Sequence, residues 1–237
     1  MAISELELPT GVVAHSLADA ERLAEALADR VAEALSFAVQ TDGSASLAVS
    51  GGRSPIPFFE ALSRRTLDWS RVQVCLADER WVPVDDPASN EGLVRRHLLQ
   101  NEAATAQMVG LYQPADVIEE AVSLASDALA SLRRPFDVVI LGMGEDGHTA
   151  SLFPGNPNLA EGLDSECQVR CLPMQAPVAP AQRITLTYPM LAGARVQCLA
   201  IQGTSKLETL ERALQATPLQ MPIRAFMHSP LEIYWCP

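Results

Sequence analysis

The feature that most constrains the fold is an apolar run at residues 136–141, FDVVIL, which leads directly into the glycine-rich stretch GMGEDGH. Uninterrupted β-branched and apolar residues are typical of a strand that is buried on both faces of a parallel sheet. Parallel neighbours need crossover connections between them, usually helices. We therefore expect further short strands along the chain, separated by helices.

That alternation is present throughout the sequence. The pattern predicts strands near residues 7–14, 47–50, 72–77, 109–112, 136–141, 169–172, 183–187, 196–201, 223–226 and 232–235. It predicts helices near residues 17–39, 55–66, 91–100, 116–133 and 204–215. Ser16 with Asp19 is expected to cap the first helix and Ser54 the second, and the last strand is expected at a sheet edge. The predicted architecture is α/β, a doubly wound, mostly parallel sheet with helices on both faces, in a single domain spanning residues 1–237.

Composition limits the partners of this chain. Its 237 residues, 48% of them hydrophobic, suffice for one well-buried core. A formal net charge of −12 argues against nucleic acid and anionic membrane surfaces, which bind clustered Lys and Arg. A small anionic substrate remains compatible if a few cationic side chains gather in one cleft, because salt screens more distant carboxylates. We expect the protein to be a monomer or a weak homodimer.

The sequence shows no signal for membrane insertion or secretion, and its cysteines follow no disulfide or metal-binding pattern. No apolar stretch reaches transmembrane length, and the first ten residues contain neither a basic segment nor an apolar one, so we expect a cytoplasmic protein. Five irregularly spaced cysteines favour reduced thiols over disulfides. Cys167 and Cys171 lack a second Cys or His pair at matching spacing, so no metal site is predicted.

The stretch GMGEDGH carries the first candidate site. Imidazole is the side chain best suited to accept a proton from water and return it to a leaving oxygen, so His148 is the candidate base, and Asp146 or Asp78 can orient its ring. The N–H groups around Gly144 and Gly147 are candidate donors to an oxyanion. The competing interpretation is an ordinary strand-to-helix turn. Ser151 is expected to serve a helix start rather than to act as a nucleophile, because GHTAS is not a nucleophile elbow.

Two other strand ends bear polar groups. The turn GGRSP at residues 51–55 precedes a helix, and exposed N–H groups at a helix N-terminus favour anions. Residues 78–80, DER, follow the next strand, and residues 203–206, GTSK, repeat the turn in weaker form. For GGRSP the competing interpretation is an ordinary strand-to-helix turn. For DER it is a surface salt-bridge cluster. Because carboxyl ends of parallel strands meet at one edge, we expect these groups to share a cleft.

Three stretches together resemble a known family. They are LAVSGGRSP at 47–55, LADERWVP at 76–83 with Ser89 and Asn90 downstream, and ILGMGEDGHTASLFPG at 140–155. In this order and spacing they are similar to the 6-phosphogluconolactonases, within the wider glucosamine-6-phosphate isomerase/6-phosphogluconolactonase superfamily. The resemblance extends from about residue 10 to residue 235.

This resemblance implies hydrolysis of 6-phospho-D-glucono-1,5-lactone to 6-phosphogluconate, the second step of the oxidative pentose phosphate pathway. It implies no organic cofactor and no catalytic metal, a phosphorylated sugar lactone as the small-molecule partner, and His148 as general base. The residues that match its phosphate loop are Ser50, Gly51, Gly52 and Arg53. Those that match its second active-site motif are Asp78, Glu79 and Arg80, and Arg183 and Lys206 match basic positions near the phosphate.

Two alternative functions are weighed against this one. The isomerase and deaminase branch of the superfamily carries a glutamate five residues after the histidine, where this chain has Phe153. An apolar ring cannot carry a proton, which disfavours that branch. A non-catalytic sugar-phosphate sensor is disfavoured because the first 45 residues show one acidic, Ala-rich helix rather than a DNA-binding helix-turn-helix.

Overall fold

A computed structural model of the chain describes residues 3–228 and 230–237. The strands in this part of the chain are β1 Val12–Ser16, β2 Ala45–Val49, β3 Val72–Leu76, β4 Asp78–Arg80, β5 Gln107–Val109, β6 Val138–Leu141, β7 Cys171–Gln175, β8 Gln182–Leu186, β9 Val196–Gln202 and β10 Leu231–Cys236. The α-helices are α1 Ala20–Asp42, α2 Ile56–Ser63, α3 Asn90–His97, α4 Ile118–Ala128, α5 Leu159–Leu163, α6 Tyr188–Ala192 and α7 Thr204–Gln215. Short 3₁₀ turns occupy Ile3–Glu5, Trp69–Arg71, Asn101–Thr105, Leu129–Ser131 and Pro222–Phe226.

Seven strands form one parallel sheet in the order β1-β10-β9-β6-β2-β3-β5. The chain builds β2, β3 and β5 outward on one side, then returns to place β6 beside β2 and continues through β9 and β10 on the other side. The direction of winding therefore reverses between β2 and β6. Connections diverge at such a switch point and leave a crevice at the carboxyl ends of the strands. The predicted doubly wound α/β fold is confirmed.

A second, three-stranded antiparallel sheet has the order β4-β8-β7. The sequence predicts β7 and β8 as strands, with β7 at an edge, but it gives no sign that residues 78–80 form a strand that pairs with β8. This pairing sets Asp78 opposite Thr185 and Arg80 opposite Arg183. Polar residues far apart in sequence are thus brought to the end of β3.

Helix α1 packs its apolar face on the sheet, as its spacing predicts. The predicted core positions are all buried: Leu23, Leu27, Val31, Leu35 and Ala38. Its N-cap is Asp19, whose side chain accepts from the N–H of Arg22 at 2.8 Å, whereas Ser16 ends β1. Gly43 stops the helix in the left-handed conformation at φ 79°.

Two of the strand predictions are wrong, one in the type of structure and one in its position in the sheet. Residues 223–226 lie in the 3₁₀ turn Pro222–Phe226, where Ile223 and Phe226 are buried three positions apart, a helical rather than an alternating period. Strand β10 is not at an edge, because β1 pairs outside it. Within the described residues, no helix has both the length and the apolar character needed to cross a membrane.

Candidate active site

A cleft of about 410 Å³ opens at the carboxyl ends of β2, β6 and β9, beside the switch point. The predicted site residues that line it are Ser50, Gly51, Gly52, Asp78, Arg80, Gly144, His148, Arg183 and Lys206. Those that lie outside its lining are Arg53, Glu79, Asp146 and Gly147. The expectation that His148 and the glycine turn at 51–52 share one cleft is confirmed.

The imidazole of His148 is held by a carboxylate. Its Nδ1 lies 2.5 Å from Oδ1 of Asp146, and the same oxygen accepts from the His148 N–H at 3.1 Å. Burial raises the pKa of Asp146, but the hydrogen bonds from the ring and N–H of His148 outweigh it and leave this pKa below its usual value. Of the two carboxylates considered from sequence, Asp146 is the one in contact with the ring.

Gly144 makes room for this pair. A Cβ at this position would lie 2.1 Å from Nδ1 and 2.2 Å from Cε1 of His148, and 2.7 Å from Oδ1 of Asp146. Its N–H donates to the carbonyl of His148 at 2.9 Å, which folds the turn back on itself. Any side chain here would displace the imidazole.

The amides of this turn are largely engaged within the protein. The N–H of Gly144 donates to His148 O, that of Gly147 donates to Gly144 O at 3.1 Å, and that of His148 donates to Asp146. These contacts argue against Gly144 and Gly147 as donors to an oxyanion. The sequence shows that glycines permit such a turn, but not which of its amides stay free.

The outer side of the turn rests on the C-terminal part of the chain. A Cβ on Gly147, which has φ 77°, would lie 2.7 Å from Cβ of Met221. The N–H of Ile223 donates to the Gly147 carbonyl at 2.9 Å, and Arg212 of α7 donates to the Glu145 carbonyl at 3.0 Å. Gly147 is therefore a packing position behind the cleft.

The glycine turn after β2 is fixed to its neighbours. Ser50 Oγ donates to the carbonyl of Ile140 at 3.0 Å and accepts from the N–H of Gly142 at 3.2 Å, which ties the ends of β2 and β6 together. A Cβ on Gly51 would lie 1.9 Å from Oδ1 of Asn90, so only glycine fits against this amide. Gly52 has φ 91°.

The residues after this turn differ from expectation. Arg53 is exposed and does not line the cleft. Helix α2 begins after Pro55 with no side-chain cap, so Ser54 lines the cleft but does not cap the helix. Turn sequence alone does not fix where an arginine side chain points, because the rest of the structure decides which face is solvated.

Glu79 is buried behind the cleft and does not line it. Its carboxylate is fully buried and accepts from the N–H groups of Arg80, Asn90 and Glu91 at 2.7, 2.7 and 2.8 Å, and from Ser89 Oγ at 3.1 Å. Burial raises its pKa to about 7, while the three backbone donors act in the opposite direction. It anchors the N-terminus of α3, which places Asn90 beside Gly51.

Asp78 faces the cleft from a position that is 7% exposed. Its backbone carbonyl accepts from Nδ2 of Asn90 at 2.9 Å. Its Oδ2 accepts from Oγ of Ser151 at 2.5 Å. Ser151 lies in no helix, so the interpretation of it as a helix-start residue is wrong, and no local motif in the sequence indicates its contact with a residue 73 positions away.

Two arginines meet across β4 and β8. Arg80 Nη1 donates to the carbonyl of Ala88 at 2.6 Å, and Arg183 Nε donates to that of Pro180 at 2.8 Å. Neither forms an ion pair with a carboxylate in the described part of the chain. Burial, followed by repulsion from Arg80, lowers the pKa of Arg183 from its usual value, although a guanidinium stays charged in proteins. Asp78 and Glu79 act on Arg183 in the opposite direction, but neither makes an ion-pair contact with it in the described residues, so the two neighbouring guanidinium groups favour an anionic ligand.

Lys206 is the third cationic residue at the cleft. It comes from the start of α7, after β9, whereas Arg80 and Arg183 come from β4 and β8. It lies in the first turn of α7, just after Gly203, whose φ of 86° redirects the chain from β9 into the helix. Lys206 lines the cleft and makes no ion pair among the described residues. Cations therefore flank the strand ends that carry His148 and the glycine turn.

Sequence reasoning missed several apolar lining residues. Leu23 and Leu27 of α1 reach the cleft, as do Pro177 and Val178 from the turn between β7 and β8. The ring of Phe153 also lines it, with its centroid 4.6 Å from that of the His148 ring. The apolar period of α1 is fully explained by core packing, so it gives no sign of a second role.

Comparisons with known proteins agree over almost the whole chain. The profile of a family described as glucosamine-6-phosphate isomerases/6-phosphogluconolactonase matches residues 18–235. A 6-phosphogluconolactonase of Pseudomonas aeruginosa is 56% identical over the full length of both chains, and one of Pseudomonas putida is 54% identical over all of this chain and 98% of its own. The crystal structure of a 6-phosphogluconolactonase from Shewanella baltica superposes with a TM-score of 0.93 at 40% identity, covering 97% of this chain and all of that one.

Proposed function

This chain belongs to the glucosamine-6-phosphate isomerase/6-phosphogluconolactonase family, and we propose that it hydrolyses 6-phospho-D-glucono-1,5-lactone to 6-phospho-D-gluconate. The observation that carries the proposal is the His148–Asp146 pair, which opens into the same cleft as the glycine turn at 51–52 and three cationic side chains. Such a cleft unites a proton-transfer group with a site for an anionic substrate.

His148 acts as the general base in this reaction. Because Nδ1 contacts a carboxylate, the proton of the neutral ring lies on Nδ1 and Nε2 keeps its lone pair. Nε2 then takes a proton from water as the oxygen attacks the lactone carbonyl carbon. Asp146 fixes the ring orientation and stabilises the imidazolium that forms, as the carboxylate of a Ser-His-Asp triad does. A general base of this kind contributes about 10²- to 10⁴-fold to the rate.

The second half of the reaction uses the same proton. Attack gives a tetrahedral intermediate with negative charge on the former carbonyl oxygen, which the positive groups lining the cleft stabilise. As that oxygen re-forms its double bond, the bond from C1 to the ring oxygen breaks. The imidazolium returns its proton to the departing ring oxygen, which becomes a hydroxyl of the open acid. Water is consumed and the histidine is regenerated, so no covalent intermediate is needed.

The phosphate binds against the turn at Gly51–Gly52, between Lys206 and Arg183. Gly52 adopts φ 91°, Gly51 leaves no side chain over the turn, and the two cations line the same cleft without an ion-pair contact to a carboxylate among the described residues. Phosphate recognition by backbone N–H groups together with Lys and Arg is a common arrangement in α/β proteins. Arg80, beside Arg183, extends the positive surface towards the sugar.

The isomerase and deaminase branch of the family is the competing activity. Phe153 stands where that branch is expected to carry a glutamate, and its apolar ring packs against His148. The group that the structure places there cannot carry a proton. Incubation with the phosphorylated lactone and, separately, with glucosamine 6-phosphate tests the proposal. Lactone loss well above its spontaneous rate supports it, whereas turnover of the amino sugar alone would contradict it, as would binding without turnover.

A further inference from the structure

Ser151 lies behind the cleft lining, against Asp78, in a position that proton transfer and phosphate binding do not require. Its side chain is fully buried, and its Oγ lies 2.5 Å from Oδ2 of Asp78. A carboxylate has no proton to give, so the hydroxyl of Ser151 is the donor. Hydrogen bonds of a hydroxyl to a charged oxygen at this distance are among the strong ones.

The surroundings of Ser151 fix the direction of its hydroxyl. Its N–H donates to Oγ1 of Thr185 at 3.2 Å, and Thr185 in turn donates to the carbonyl of Leu186 at 3.1 Å. Thr185 is the cross-strand partner of Asp78 in the β4–β8 pair. Ser151 is therefore held against the strand that stands opposite Asp78, with its hydroxyl aimed at the carboxylate.

Asp78 in turn is held at two points. Asn90 donates to its backbone carbonyl, and Ser151 donates to its Oδ2. The structure gives Oδ1 no protein hydrogen-bond partner within the described residues, and Asp78 lines the cleft. One carboxylate oxygen is thus committed to the protein, and the other is oriented for a ligand.

We propose, on the basis of the lactonase function above, that Ser151 is a positioning residue that turns Asp78 so that Oδ1 accepts a hydrogen bond from a hydroxyl of the bound sugar. Ser151 does not act as a nucleophile, because its oxygen is fully buried and the residue does not line the cleft. Sugar hydroxyls are donors, and a fixed anionic acceptor both orients them and discriminates against ligands without them.

Three variants of Ser151 test this role. Removing a hydrogen bond to a charged group predicts that Ser151→Ala lowers kcat/KM roughly ten- to a hundredfold. Ser151→Thr and Ser151→Val form a matched pair of nearly equal shape, of which only threonine keeps the hydroxyl. Both add a methyl group to a packed site and lower Tm, but only Thr should recover kcat/KM relative to Ala and Val. Equal kcat/KM for Thr and Val would overturn the proposal.

Coupling to Asp78 is measured by binding of the product, 6-phosphogluconate, which does not depend on turnover. Ser151→Ala should weaken binding in the wild-type background and have less than about twofold effect in Asp78→Ala, because coupled residues are not additive. An equal loss in both backgrounds would mean that Ser151 acts only through the fold. If the wild-type protein itself fails to accelerate lactone hydrolysis, the proposed function fails instead, which distinguishes the two outcomes.

Discussion

Nδ1 of His148 lies 2.5 Å from Oδ1 of Asp146, two positions earlier in the same turn. The contact is possible because Gly144 has no side chain and because the turn closes through the Gly144 N–H. A local glycine-rich sequence thus holds an imidazole at the end of a buried strand, where His148 lines the cleft. The chemistry proposed for this protein depends on that orientation.

Asp146→Asn tests the orienting role directly. An amide in place of the carboxylate no longer stabilises the imidazolium and favours the wrong tautomer, which predicts a fall in kcat of about a hundredfold or more with a small change in KM. Steady-state kinetics on the phosphorylated lactone measure it. Glu145→Gln, one position earlier on the exposed side, is the matched control and should stay near wild type. Similar losses in both variants would point to damage to the turn instead.

Gly144→Ala tests the space reserved for the ring. The added Cβ would lie 2.1 Å from Nδ1 of His148, so the imidazole must move. Displacement of a reacting group by about 1 Å typically costs on the order of a hundredfold in rate. Gly142→Ala is the comparison, because its Cβ meets no atom within 4 Å. Wild-type kcat in Gly144→Ala would mean that the ring position is not critical.

Lys206→Ala tests the phosphate site. Losing one cation that contacts phosphate predicts a rise in KM of roughly ten- to a hundredfold for the phosphorylated lactone, and little change for unphosphorylated gluconolactone. Arg53→Ala serves as the control, because Arg53 is exposed and outside the cleft lining. A larger effect at Arg53 than at Lys206 would place the phosphate elsewhere, closer to the expectation from sequence.

Chelation tests the expectation that no metal takes part. Proton transfer by His148 needs no metal-bound water, so dialysis against EDTA should leave kcat unchanged in assays of lactone hydrolysis. Loss of activity that added zinc restores would contradict the mechanism.

Glu232→Gln tests a stabilising contact away from the cleft. Burial raises the pKa of Glu232, but the hydrogen bond and the charge of Arg30, together with the hydrogen bond from Tyr234, outweigh burial and leave the pKa below its usual value. A lowered pKa means that this carboxylate stabilises the fold above its unfolded pKa of about 4.3 and ceases to do so as pH falls through the folded value. At pH 7 the variant should lose about 1.5–3 kcal/mol, and below about pH 4 the difference should shrink.

Denaturant unfolding across this pH range measures that difference. Glu33→Gln is the control, because Glu33 lies 3.9 Å from the same arginine and its side chain is 78% exposed. Exposed pairs of this kind contribute less than about 1 kcal/mol. A gap between wild type and Glu232→Gln that does not change with pH would exclude the charged contact as its source.

Much of the fold could be predicted because the relevant signals are local. The apolar run of β6, the period of α1 and the glycines of the turns each act through neighbouring residues. The strand order could not be read in this way. That β10 lies inside the sheet, and that β1 covers it, depends on pairing between the two ends of the chain.

The candidate site shows the same difference: its local contacts could be predicted from sequence, and its long-range contacts could not. His148 and Asp146 are two residues apart, and their contact follows from the turn. By contrast, the Ser151–Asp78 contact spans 73 positions, and the facing of Arg80 and Arg183 depends on β4–β8 pairing. For Arg53 the local sequence is misleading. It predicts a phosphate contact, but the side chain is exposed and outside the cleft lining, because a basic residue beside a glycine turn need not point into it.

The rate of 6-phosphogluconolactone disappearance, followed against its spontaneous hydrolysis for wild type and His148→Ala, tests the central claim most directly. The account predicts that wild type accelerates hydrolysis and that His148→Ala loses about 10²- to 10⁴-fold of kcat while keeping wild-type circular dichroism and Tm. Near-wild-type turnover by a folded His148→Ala protein would contradict it.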